Sequence, residues 1–159
     1  MCGIAGLMAL EGGSPDQAAV ARMVDALAHR GPDGRGTYNA QDVAFAHNRL
    51  SIIDLITGDQ PFDDEAGAAL IVNGEIYNYI ELRARHPELN FTTKSDCETP
   101  LRLYPGEGLD VAGSLRGMYA LALHDRHENS LVLARDPFGI KPLYYVEAAS
   151  GLAFASEPQ

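Results

Sequence analysis

Four short apolar runs crowd the last third of the chain: residues 117–125 (GMYALALHD), 130–135 (SLVLAR), 143–147 (LYYVE) and 152–156 (LAFAS). Turn-rich segments such as Arg126-His127-Glu128-Asn129 separate them. Runs of this length and spacing predict strands joined by tight connections, an antiparallel meander. Upstream, residues 2–10 (CGIAGLMAL) read as a buried strand, as do 43–53 (VAFAHNRLSII) and 68–73 (AALIVN). Gly74 is expected to interrupt the last of these before a short apolar piece, Ile76-Tyr77.

Helices are fewer. Ser14 as cap, Pro15 in the first turn and Gln17 as the capping-box partner predict a helix. Val20, Met23, Val24 and Leu27 give it one apolar face, and Gly31-Pro32 ends it. Asn78 with Glu81 predicts a helix over 79–86 that Pro87 stops. Ser95 with Glu98 predicts another that reaches Tyr104 and breaks at Pro105-Gly106. Strands dominate and helices cluster in the middle, so the fold class is α+β, with helices packed on antiparallel sheets.

Length and composition bound the function. The 159 residues suit one domain over 1–159, and the 46% hydrophobic content suffices for a core. Twelve Lys and Arg against twenty-two Asp and Glu leave a net charge of -10, which argues against nucleic acid and anionic membrane partners. Two cysteines are too few for a disulfide framework, and no run approaches a membrane span or a signal peptide. The cytoplasm is the expected compartment.

Cys2 is the first residue with chemical promise. Removal of Met1 before a small residue would leave thiol and free α-amine on one residue. An α-amine titrates near ~7.7–8.0, so it can take the thiol proton, directly or through water. The plainer alternative is a buried cysteine that merely begins a strand. Asn73-Gly74 offers two donors for an oxyanion, a side-chain amide and a backbone N–H. Locally the same dipeptide is a favoured hairpin turn. Arg49, at the end of an apolar strand, could grip a carboxylate with two hydrogen bonds, or form a structural ion pair. Glu75 and Asp96 could hold an ammonium group, although Asp96 also suits the first turn of a helix. His29, His47 and His124 read as packing or hydrogen-bonding residues.

Six segments carry a resemblance: CGIAG at 2–6, HRGPDG at 29–34, HNRLSIIDL at 47–55, NGEIYN at 73–78, SDCE at 95–98 and RDPFGIKPLYY at 135–145. In this order and spacing they resemble the glutaminase domain of asparagine synthetase, a class II glutamine amidotransferase and N-terminal nucleophile hydrolase. The resemblance runs from Cys2 to Glu157. It implies a four-layer αββα sandwich, two antiparallel sheets between helical layers. It implies Cys2 as the nucleophile forming a γ-glutamyl thioester, with Asn73 and Gly74 as the oxyanion hole. Arg49 would bind the α-carboxylate of L-glutamine, and Glu75 and Asp96 its α-amine. Leu50, Ser51, Ile52 and Ile53 would line the pocket through backbone groups. Residues 29–33 and 135–145 would shape and support it.

No cofactor is implied for the glutaminase step. ATP and Mg would belong to a synthetase domain, whose motifs this sequence does not contain. The implied partner is a synthetase domain or subunit that accepts ammonia, and the resemblance also admits a homodimer. The competing expectation is a catalytically silent glutamine-binding or assembly module, which retention of Met1 would favour.

Overall fold

A computed structural model describes residues 1–10, 12–64 and 67–158. The first sheet is built from β1 (Gly3–Ala9), β2 (Gly34–Asn39), β3 (Val43–Arg49), β8 (Tyr144–Ala148) and β9 (Gly151–Ala155), in the order β2-β3-β1-β9-β8. The second contains β4 (Phe62–Asp63), β5 (Ala68–Ile76), β6 (Gly117–Asp125) and β7 (Ser130–Arg135), in the order β4-β5-β6-β7. All pairings are antiparallel.

Side-chain alternation along the strands explains the layering. On β3, Phe45 points between the sheets, where it meets Ile4, Phe154, Ile71, Ala120 and Ala122. Its neighbours Ala44 and Ala46 face the other way, onto Val20 and Val24 of α1 (Gln17–Ala26). On β5, Ala69 and Ile71 face the first sheet, whereas Leu70 and Val72 face outward. There they are covered by α2 (Tyr79–Arg85), α3 (Thr99–Glu107) and α4 (Val111–Ser114) through Leu82, Leu101, Leu103 and Val111. The result is four layers: α1, the five-stranded sheet, the four-stranded sheet, and α2 to α4. Gly6 pairs between Phe45 and Phe154 within the first sheet. A Cβ there would lie 2.6 Å from the Phe154 ring, so glycine is what lets that ring into the core.

Several expectations are corrected. The four C-terminal runs are strands, but not one meander: β6 and β7 belong to the second sheet, β8 and β9 to the first. The strand expected over 43–53 stops at Arg49. Asn73-Gly74 is not a turn; both residues lie inside β5, paired with Ala120 and Tyr119. A Cβ at Gly74 would come within 2.2 Å of the Met118 carbonyl oxygen, so the glycine serves close strand approach. β2 was not anticipated, because its GRGTYN sequence lacks an apolar run.

Helix ends also differ. Asp16, not Ser14, caps α1, its Oδ1 accepting from Ala19 N at 3.0 Å. The Asn78 side chain does not cap α2; it bridges Ser114 O and Arg116 N at 3.0 and 2.8 Å. Ser95 does cap its segment, accepting from Cys97 N, but the first turn, Asp96–Glu98, is 3₁₀. Glu98 is fully buried and turns back to Thr92 and Thr93 rather than closing a capping box. The following helix continues through Pro105 to Glu107.

Candidate active site

Cys2 stands immediately before β1, whose first residue pairs with Asn48. That register sets the thiol beside the end of β3. Leu50 N donates to Cys2 Sγ at 3.4 Å, and Sγ lies 3.7 Å from Leu50 O. Arg30 supports the segment from behind: Nε donates to Cys2 O at 3.0 Å and Nη1 pairs with Glu157 Oε1 at 2.5 Å. Burial pushes the Cys2 thiol up from its ordinary value. The Leu50 N–H, the terminal amine and Arg49 act in the opposite direction.

β5 contributes Asn73 at the floor. The residue is fully buried, and among the described residues neither its Nδ2 nor its Oδ1 has a hydrogen-bond partner. An orphaned buried amide is costly and marks a place where a ligand group can complete the network. Next along the strand, the Gly74 carbonyl lies 3.5 Å from Cys97 Sγ. Asp96 is buried beside it, Oδ2 accepting from Ile76 N at 2.7 Å. Burial raises the Asp96 carboxyl, against the pull of hydrogen bonds from Ile76 and Cys97.

Arg49 forms the side wall. Its side chain is only 8% exposed, and Nη1 pairs with Asp59 Oδ1 at 2.6 Å. Nη2 donates to Ile53 O at 3.4 Å and to Asp54 O. A Cβ at Gly58 would lie 2.7 Å from Nη2, so glycine makes room for the guanidinium. The loop that supplies these carbonyls is itself tied down. Asp54, at φ 55°, accepts from Thr57 N at 2.9 Å and from Lys94 N at 2.8 Å. Burial opposes ionisation of Asp54, but these hydrogen bonds outweigh it and hold the carboxyl at about 2.

The sequence-predicted residues converge. Cys2, Arg49, Leu50, Ile52, Ile53, Asn73, Gly74, Glu75 and Asp96 line one cleft of about 110 Å³. Ser51 does not line it; its N–H donates to Asp33 Oδ2 at 2.8 Å, so it anchors the loop to the 29–34 segment. Sequence reasoning missed Gln60 and Met118, which also line the cleft; Lys141 lines it too, from the 135–145 segment expected to shape the pocket, though it was not singled out. Only Lys141 left a signal, as the one cation inside the GIKP segment. The histidines lie elsewhere: His124 Nδ1 is 2.8 Å from the Tyr38 hydroxyl, and His29 bonds Ala26 O and Glu157. His47 is fully buried between the sheets, where burial lowers it to about 4.

A thiol, an unsatisfied amide donor, a guanidinium and two carboxylates around one small cleft suit a zwitterionic amino acid with a reactive side chain. The surrounding four-layer architecture is shared with a solved amidotransferase. The glutamine phosphoribosylpyrophosphate amidotransferase of B. subtilis superposes with a TM-score of 0.77 at 22% identity, over 98% of this chain and 42% of that one. The chain belongs to the glutamine amidotransferase domain family, whose model matches residues 1–159. It is 43% identical to asparagine synthetase [glutamine-hydrolyzing] 2 of Bacillus subtilis (strain 168), over 99% of this chain and 22% of that protein. It is 41% identical to asparagine synthetase [glutamine-hydrolyzing] 1 of the same organism, over 99% of this chain and 26% of that protein. The chain thus spans about a quarter of the length of the curated relatives it matches.

Proposed function

We propose that this domain, once Met1 is removed, hydrolyses L-glutamine to L-glutamate and ammonia with Cys2 as nucleophile. The observation that carries the reading is the shared cleft, in which the Cys2 thiol, the orphaned Asn73 amide, Arg49 and Asp96 come together. Arg49 takes the substrate α-carboxylate, while Asp96 and Glu75 take its α-ammonium. The free α-amine of Cys2 accepts the thiol proton, and the sulfur attacks the side-chain amide carbon. Negative charge develops on the amide oxygen, where Asn73 Nδ2 and the Gly74 N–H stabilise it. The protonated amine delivers its proton to the departing nitrogen, which leaves as ammonia. A γ-glutamyl thioester remains. Water attacks it, giving a proton to the amine, and glutamate departs as the thiol is restored.

The glutaminase step uses no cofactor. The ammonia passes to an asparagine-synthetase-like domain or subunit, which supplies ATP and Mg²⁺ chemistry of its own. In the Cys2→Ala variant of the Met1-free chain, glutamate release from glutamine is abolished; undiminished release would refute the nucleophile assignment. A second reading has its own support, because Met1 itself lines the cleft. A chain that retains Met1 has the Cys2 nitrogen locked in a peptide bond and acts as a silent glutamine-binding module. Intact mass, measured beside turnover, separates the two.

A further inference from the structure

Lys141 is only 3% exposed, and it lines the same cleft as Cys2. Its backbone is fixed by the loop after β7: Asp136 accepts N–H bonds from Phe138, Ile140 and Lys141 at 3.1, 3.0 and 3.0 Å. Its side chain, however, has no carboxylate partner among the described residues. Nζ contacts Met1 Sδ at 2.6 Å. A buried cation without a counter-charge is expensive, and such groups in clefts mark functional sites. Among the described residues its side-chain polar contact is with Met1, the residue whose loss would create the new N-terminus.

We propose that Lys141 is the fixed cation of the cleft: with Met1 gone, its ammonium faces the α-amine and thiol of Cys2, keeping the amine unprotonated and favouring the ionised sulfur. The physics is like-charge repulsion on the ammonium form of the terminus and attraction to the thiolate. Burial pushes this thiol the wrong way for a nucleophile; the Leu50 N–H, the terminal amine and Arg49 pull it back, and a Lys141 ammonium brought to face it adds to that pull. The other charged or titratable groups facing the site are Arg49 from β3, Glu75 from β5, and Asp96 and Cys97 from the 3₁₀ turn. Arg49 is paired with Asp59, whereas Lys141 has no ion-pair partner among the described residues. Lys141 is therefore a positioning residue that acts through Cys2. The inference rests on Cys2 carrying a free α-amine.

The test uses the Met1-free chain, verified by intact mass, and its K141M, K141Q and K141R variants. Glutaminase kcat/KM is followed against pH, and alkylation of Cys2 by iodoacetamide is followed in parallel by peptide mapping. In K141M and K141Q the acid limb of kcat/KM moves up by about half a pH unit or more, roughly a threefold loss on the acid side. Cys2 alkylation at neutral pH slows in the same variants, and K141R keeps both profiles near wild type. Two uncharged replacements guard against one failing to fold. Profiles that superimpose on wild type in both would overturn the role. If Cys2 alkylates but the wild-type chain releases no glutamate, the glutaminase reading fails, while the alkylation profiles still decide Lys141.

Discussion

At the scale of single residues, Asn73 separates function from stability. Its amide is buried with both polar atoms unpaired, so the folded protein gains nothing from its hydrogen-bonding capacity. Unpaired polar atoms of this kind suit a partner that arrives later, which the proposed mechanism identifies as the developing oxyanion. Asn73→Ala is expected to lower kcat by about 10²–10³, the usual loss of one oxyanion donor, with KM little changed. Its unfolding free energy should stay within about 1 kcal/mol of wild type, because removing an unsatisfied amide offsets part of the lost packing. Steady-state kinetics beside urea denaturation checks both halves. A large stability loss with unchanged kcat would make Asn73 a structural residue.

At the scale of elements, the 50–60 loop matters most, since it forms one wall of the cleft and frames Arg49. It has no regular structure, yet it is fastened along its length: Ser51 to Asp33, Asp54 to Lys94, and Gln60 to Val72. Asp54→Asn keeps a residue tolerant of φ 55° but loses one charged acceptor. The expected result is a several-fold rise in KM for glutamine with kcat nearly unchanged, read from initial rates; an equal fall in kcat would point instead to misplaced catalytic groups. This loop also shows what sequence conveys and what it withholds. Strand positions were legible because alternation and turn residues are local signals. Asn73-Gly74 misled, because a favoured turn dipeptide was held extended by pairing with Ala120 and Tyr119. Pro105 misled likewise: it sits inside α3, whose burial of Leu101 and Leu103 outweighs the local cost. Candidate site residues could be named through six segments in register, and the segment holding Lys141 was among them, but that its side chain reaches the cleft shows only in the tertiary structure.

At the scale of the whole molecule, the interface between the sheets couples stability to pH. His47 sits there fully buried, two residues before Arg49 on β3. Burial lowers it from 6.5 to about 4 in the folded chain. Above pH 6.5 both folded and unfolded chains carry it neutral, and stability is complete. As pH falls through 6.5 the unfolded chain takes a proton that the folded chain refuses until about pH 4. Stability is therefore lost across that window, by up to about 3 kcal/mol at 1.36 kcal/mol per pH unit. Protonation would also place a cation beside Arg49, loosening the wall to which we assign the substrate carboxylate. His47→Gln removes the titration while retaining a polar side chain of similar size. Urea unfolding of both proteins at pH 7 and pH 4.5 isolates the effect: wild type is expected to lose at least about 2 kcal/mol more than the variant. Equal losses would mean that the inter-sheet histidine does not govern acid sensitivity, and that the carboxylates titrating lower do.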